Sequence, residues 1–208
     1  MPAAVVKGRA SGDGFYIIPA EGASFFISEK LLSEHTGLSV YDGEAIDEHK
    51  LADLQSLYNC FICRKKAMQL LAAREHSVFE LRLKLGKRQF GTMEIEKTLA
   101  YLQEKGYVSD FRFAKVFIRS RLRRKPEGKA IVLERLKQKG VCRAVCDAAW
   151  QEEVDEATEA SLLDRAVRLA IKKYGKDCQK QLAYLVRSGF PYAKAKRELS
   201  ELSERKDV

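Results

Sequence analysis

Apolar residues recur along most of this chain at every fourth position, and the same arrangement returns after about fifty residues. Leu85, Leu136 and Leu185 stand 51 and 49 residues apart. Five positions beyond them lie Phe90, Val141 and Phe190. Ten beyond lie Ile95, Cys146 and Ala195, and fourteen beyond lie Leu99, Trp150 and Leu199. The positions 22, 18 and 14 before the three leucines are Cys63, Ala67, Leu71, then Ala114, Ile118, Leu122, then Leu163, Val167, Ile171. Each triplet has the i, i+4, i+8 spacing of one buried helical stripe. A period of this length marks a repeat architecture in which each unit completes its core against its neighbours.

Each unit predicts three helices. The first helices run over 60–73, 110–124 and 158–174, the second over 78–88, 129–139 and 177–188, and the third over 93–105, 143–153 and 191–202. Ser77 with Glu80 forms a capping-box pattern, and Thr92 and Ser109 suit N-caps. Pro191 suits a first helical turn, while Gly106, Gly140, Gly175 and Gly189 stand where helices should stop.

The first 59 residues follow another pattern. FYII (Phe15 to Ile18) and FFI (Phe25 to Ile27) predict two short strands joined by the loop PAEGAS. Ser28 can cap a short helix reaching His35, a turn follows at Gly37 and Asp42-Gly43, and a long helix starts near Asp47. The expected fold is mainly α: an elongated tandem array of three three-helix repeats behind a small N-terminal hairpin element. The expected divisions are 1–59, 60–108, 109–154 and 155–208.

Charge sharpens this picture. The 208 residues carry a net +9, yet the first 59 hold four Lys/Arg against nine Asp/Glu. The remainder is therefore at +14, a balance suited to an anionic partner. Ten cations crowd one stretch: Arg119, Arg121, Arg123, Arg124, Lys125, Lys129, Arg135, Lys137, Lys139 and Arg143. Within it only Glu127 and Glu134 oppose them, so most of these side chains are expected to be unpaired. Arginine forks suit phosphate and carboxylate oxygens. None of Arg119, Arg121 and Arg124 holds a core position, so reversing their charge should leave the fold intact. Arg74, Arg82, Lys84, Lys87 and Arg88 form a second basic face. The acidic run Asp147, Glu152, Glu153, Asp155, Glu156, Glu159 has its default role at a helix N-terminus.

Other chemistry has little support. Cys60 and Cys63 have CxxC spacing, but Cys63 shares its register with Ala114 and Leu163 and should face the core. Five cysteines at uneven spacing fit a reducing compartment. His35, His49 and His76 are isolated, and a surface loop is expected for His76. No phosphate-binding glycine motif and no nucleophile elbow occurs in the sequence. No cofactor, metal, small-molecule substrate, membrane span or secretory signal is expected. The anticipated protein is a cytoplasmic, noncatalytic monomer.

The run Ala72-Ala-Arg-Glu-His-Ser77, with Glu80-Leu81 and Lys84-Leu85, resembles a signature of the RecX regulatory proteins. The resemblance continues through Ile95-Glu96, Leu99, Leu102, Gly106-Tyr107, Asp110, Arg112-Phe113-Ala114, Phe117 and Arg119-Ser120-Arg121, and again through LERLKQKGV from Leu133 to Val141. It implies three-helix repeats that bind the filament of the RecA recombinase on DNA. The implied effect limits strand exchange and ATP hydrolysis, in the setting of homologous recombination, DNA repair and the SOS response. Binding residues consistent with it are Arg119, Arg121, Arg123, Arg124, Lys125, Lys129, Arg135 and Lys137, with Lys84, Lys87 and Arg88. One departure is the turn Lys125-Pro126-Glu127-Gly128-Lys129, where Glu127 lowers the local charge. Direct recognition of DNA by the basic helices is the alternative.

Overall fold

The structure, a computed structural model, describes residues 2–9, 12–34 and 37–204, with side chains up to residue 201. Its four strands are β1 (Ala4–Gly8), β2 (Gly14–Pro19), β3 (Phe25–Ser28) and β4 (Ala45–Ile46). They form an antiparallel sheet in the order β3-β2-β1-β4. β2 and β3 are the predicted hairpin. β1 and β4 carry no sequence signal of their own, because AVVKG breaks the alternation with Val5 and Val6 side by side and β4 is only two residues long.

Alternation sorts the strands into two faces. Ala4, Val6, Ile17, Phe25, Ile27 and Ile46 point inward and pack with α1 (Glu29–Ser33) and the first turns of α2 (Glu48–Ala73) through Leu31, Leu32, Leu54 and Leu57. Ser28 caps α1 as expected, its Oγ accepting the Leu31 N–H at 3.2 Å. His35 lies outside the described residues.

The helices that follow are α3 (Val78–Gly86), α4 (Thr92–Glu104), α5 (Asp110–Arg124), α6 (Lys129–Gln138), α7 (Arg143–Glu153), α8 (Glu156–Tyr174), α9 (Cys178–Arg187) and α10 (Tyr192–Glu204). Every predicted helix is present, and the ends that fall on described residues lie within two residues of expectation, except that the helix expected over 60–73 is the C-terminal part of the long α2 that begins at Glu48. The repeat register is equally plain in the burial. Leu85, Leu136 and Leu185 are fully buried, as are their register mates, except Leu71, Phe90, Ile171 and Leu199, which are half-buried. Cys63 and Cys146 are core residues, and burial raises both thiol pKa values.

The chain divides into two compact units, Met1–Gln69 with Leu85–Tyr101, and Leu70–Lys84 with Leu102–Val208. The second has a continuous core running from Phe113 to Ala195. Two close backbone approaches lock its turns. Gly128 donates its N–H to Ser188 O at 2.8 Å, and a Cβ at Gly128 would lie 2.3 Å from Gly189 O. Gly140, at φ +77°, lies against Phe79, where an added Cβ would meet the Phe79 Cβ at 2.3 Å. The turn before α6 therefore seats on the turn before α10, and the turn after α6 seats on α3.

Leu136→Ala is expected to cost about 2–5 kcal/mol in urea unfolding, the range for a buried leucine that leaves a cavity. Gly128→Ala should also lower the urea midpoint, because backbone and not a pliable side chain blocks the new methyl. A Gly128→Ala midpoint equal to that of the parent chain would show that this approach is not tight.

Candidate functional site

The basic stretch runs from the second half of α5 through the following turn and α6 to the first residue of α7. Most of its cations do not stand free, contrary to the expectation. Glu127 is the reason on one side: its carboxylate is 2% exposed and receives Arg121 Nε at 2.8 Å, Arg121 Nη2 at 3.1 Å and Arg135 Nη2 at 3.4 Å. A buried carboxylate needs such compensation, since an unpaired one is expelled or neutralised. Pro126 and Gly128 flank it in the buried turn. Glu127 is thus an internal anchor for the α5–α6 connection, not a surface charge that dilutes the patch.

Carboxylates from α7 neutralise more of the stretch. Arg119 forms a bidentate pair with Glu153, its Nη2 lying 2.7 Å from Oε1, and Lys115 pairs with Glu152 and Glu153. Lys129 and Arg143 share Asp147 at 2.8 and 2.6 Å. Hydrogen bonds from Lys129 and then Arg143 hold the Asp147 carboxyl below its usual range, and those from Arg119 do the same for Glu153. The acidic run therefore has two roles. Asp155 caps α8, accepting the Thr158 N–H at 2.8 Å, while Glu152, Glu153 and Asp147 pair with the cations of α5 and α6.

Arg123, Arg124, Lys125 and Lys137 are exposed and have no ion-pair partner among the described residues. Arg123 and Arg124 belong to the last turn of α5 and Lys125 is its C-cap, where the helix dipole favours cations. Arg123 also lines a shallow cleft of about 450 Å³ with Thr158, Ser161 and Arg165 of α8. Arg165 is exposed and equally unpaired among the described residues, so it joins the candidate surface. Only proximity in space brings it there, since it lies 22 residues beyond the end of the basic stretch.

The second basic face is partly structural too. His76 is buried, at 1% exposure, not on a surface loop. Lys84 Nζ lies 2.7 Å from His76 Nε2, and His76 Nδ1 lies 2.9 Å from Arg74 O. An ammonium can only donate, so Nε2 accepts, and the proton sits on Nδ1, which donates to the carbonyl. Next to it, Ser77 Oγ accepts the Glu80 N–H at 3.0 Å and donates to Lys139 O at 2.7 Å. The Glu80 carboxylate binds Lys139 at 2.9 Å and Arg74 at 3.0 Å, and Asp110 accepts the Val78 N–H at 2.9 Å. The residues of the Arg-Glu-His-Ser run thus tie α3 to the turn after α6 and the start of α5. Arg82, Lys87 and Arg88 are exposed.

Cys60 is half-buried and no cysteine is bonded to another. Among the described residues no group of three His, Cys, Asp or Glu side chains could hold a metal ion, and no helix is long and apolar enough to cross a membrane.

The helix triplets match two family models, "RecX, first three-helix domain" over residues 63–102 and "RecX, second three-helix domain" over 109–149. The regulatory protein RecX of Chlorobium phaeobacteroides is 34% identical over 139 residues, which is 65% of this chain and 90% of the relative. This chain belongs to the RecX family. The regulatory protein RecX of Listeria monocytogenes is 25% identical across 90% of this chain and 70% of its own length. A crystal structure of regulatory protein RecX superposes with a TM-score of 0.77 at 16% identity, covering 96% of this chain and 99% of that one. RecX from Lactobacillus salivarius gives 0.62 at 17% identity, over 70% and 97%. These structures share the fold of this chain.

Two outcomes follow from the buried ionic groups. Arg121→Ala should destabilise the chain by about 3–5 kcal/mol, because it strips the main partner from a buried carboxylate. The reversal of Arg119, Arg121 and Arg124 expected to be benign is therefore not benign at Arg121. Reversal of Arg123, Arg124 and Lys125, which strips no buried group of its partner, should leave the chain folded and cost mainly the helix-dipole contribution, about 0.3–1 kcal/mol for each charge.

The second outcome concerns pH. Burial, opposed by the carbonyl bond and assisted by the neighbouring Arg74 and Lys84 cations, holds the His76 pKa below its ordinary 6.5. The unfolded chain then binds the proton more readily, so this contribution to stability is whole above pH 6.5 and is lost as pH falls toward the folded value. Burial raises the Glu80 pKa, but its bonds from Lys139 and Arg74 outweigh that and set it below 4.5. Its contribution is present above 4.5 and fails in more acid solution. Urea midpoints measured from pH 8 to about pH 2 should fall in two stages, the first below pH 6.5 and the second below pH 4.5, and His76→Gln should remove the first.

Proposed function

We propose that this chain is a noncatalytic, cytoplasmic regulator of the RecA recombinase, binding the RecA–DNA filament and limiting strand exchange and ATP hydrolysis. Membership of a family whose relatives are named regulatory proteins carries this reading. Residues 60–108, 109–154 and 155–208 serve as its three modules. The exposed cations Arg123, Arg124, Lys125, Lys137 and Arg165 support an anionic target, whether acidic protein surface or the DNA held in the filament. The ion-paired Arg119, Arg121, Lys129 and Arg135 act behind them as framework, with Lys84 in the same role at His76.

A second reading, direct recognition of DNA, is favoured by the same unpaired cations, since short basic helices suit phosphate contacts. Salt separates the two. Affinity for naked duplex DNA should fall log-linearly and steeply with salt, whereas a filament ligand should retain affinity for RecA on DNA where naked DNA competes poorly.

The deciding measurement is DNA-dependent ATP hydrolysis by the cognate recombinase with increasing amounts of this protein. The rate should fall, and reversal of Arg123, Arg124 and Lys125 should weaken the effect while circular dichroism stays unchanged. An unaltered hydrolysis rate together with unaltered strand exchange at saturating protein would refute the proposal.

A further inference from the structure

The outward face of the N-terminal sheet has a chemistry that the filament reading does not use. Strand alternation places Val5 and Lys7 of β1, Tyr16 and Ile18 of β2, and Phe26 of β3 on this side. The register sets them in cross-strand rows: Val5 opposite Ile18, and Lys7 opposite Tyr16, which is opposite Phe26. Val5, Tyr16 and Ile18 are 44%, 40% and 41% exposed. A solvent face of a sheet normally carries polar residues at these positions.

The two rings are held close, with centroids 5.2 Å apart and planes inclined at 56°. Phe26 leans across β2 at Gly14, where an added Cβ would lie 2.7 Å from its Cζ. Covering a strand glycine explains the placement of Phe26, but it leaves Tyr16, Ile18 and Val5 open to solvent. Each ring also has a cation beside it. Arg9 Cζ stands 5.6 Å above the Phe26 ring, and Lys7 faces Tyr16 with no ion-pair partner among the described residues.

No outward strand position holds a carboxylate. Among the described residues at this end of β1, Asp42 accepts the Gly8 N–H at 2.7 Å and Asp13 pairs with Arg9 at 3.0 Å, so both carboxylates are engaged. The Arg9 pair is half-exposed on both sides, so it contributes little and yields readily to a phosphate. Adjacent rings with a cation at each suit a ligand that offers flat π faces along a polyanionic backbone. Unstacked bases provide the faces and phosphates the charge. A duplex hides its base faces, and an acidic peptide has no row of rings to stack.

We propose that this sheet face is a stacking platform for single-stranded nucleic acid, with Tyr16 and Phe26 taking bases and Lys7 and Arg9 taking the flanking phosphates. The platform does not rest on the filament reading and works without the recombinase. Tyr16 is the principal contact, because it is the more exposed ring.

Fluorescence anisotropy of a labelled twenty-nucleotide oligothymidylate with the full chain tests this. Tyr16→Ala should weaken binding roughly five- to a hundredfold, the range for losing one stacked base. Tyr16→Phe should retain it, and Tyr16→Leu, equally apolar but without a π face, should not. Lys7→Glu should weaken binding and flatten its salt dependence. Circular dichroism matching the parent establishes that each variant is folded.

Equal affinity for the oligonucleotide in Tyr16→Ala and the parent would overturn the proposal. So would Tyr16→Leu binding as well as Tyr16→Phe, which would signal a generic apolar contact. Loss of recombinase regulation in Tyr16→Ala with oligonucleotide binding intact would reassign the face to a protein partner. Failure of the filament reading shows only in ATP hydrolysis and strand exchange, so the two outcomes stay distinct.

Discussion

A helix of nine or ten residues does not persist alone in water, because the cost of nucleating it exceeds what so few hydrogen bonds return. α3, α6 and α9 are of that length, and each has a fully buried leucine at its centre or end: Leu85, Leu136 and Leu185. The second unit shows how α6 and α9 are sustained. Leu136 and Leu185 share one core with the Ala114-Ile118-Leu122 stripe of α5 and the Leu163-Val167 stripe of α8. Alanine and glycine at the contact positions, notably Ala114, Ala149, Ala166 and Gly128, let the backbones approach closely enough for that sharing. Remove the leucine or block the approach, and neither the short helix nor the turn beside it has anything to hold it.

That dependence explains why so many charged groups in this basic chain are structural. Turns that must pack tightly bring polar groups inside with them, and those groups then need partners. Glu127 enters the core with the α5–α6 turn and is met by two arginines. His76 enters with the segment before α3 and is met by Lys84 and a carbonyl. Much of the positive charge around these turns therefore goes to internal compensation, while Arg123, Arg124, Lys125, Lys137 and Arg165 are among the described cations that reach solvent unpaired. In the proposed reading, recognition rests on exposed cations such as these, and the paired arginines hold the scaffold behind them.

The N-terminal sheet follows a different economy. Its inner face is a small apolar core with α1 and the start of α2, and its outer face keeps rings and cations where polar side chains would serve stability as well. An aromatic row exposed on one side of a sheet is costly in solubility, which makes it informative about use. A regulator of nucleoprotein filaments that also grips single strands through a separate surface would have two points of purchase with different salt responses, one dominated by phosphates and one by stacking.

What the sequence by itself determined is whatever period and local chemistry control. The fifty-residue repeat and the three helices in each unit follow from spacing, because a buried stripe can recur at i, i+4, i+8 in only one conformation, and the caps at Ser28 and Ser109 follow from their side-chain chemistry. The resemblance carried in Arg74-Glu-His-Ser77 and its neighbours gave the family before any geometry was known. What the tertiary structure alone decided is which charges are free. Glu127 and Glu134 were the only acids within the basic stretch, but Glu153, Asp147 and Glu80 reach it from other helices, and Arg165 joins the open surface across a cleft. Pairing between charges depends on distance in space, and sequence separation does not report it. The same holds for β1 and β4, whose hydrogen bonds come from partners remote along the chain, and for His76, whose burial depends on what closes over it.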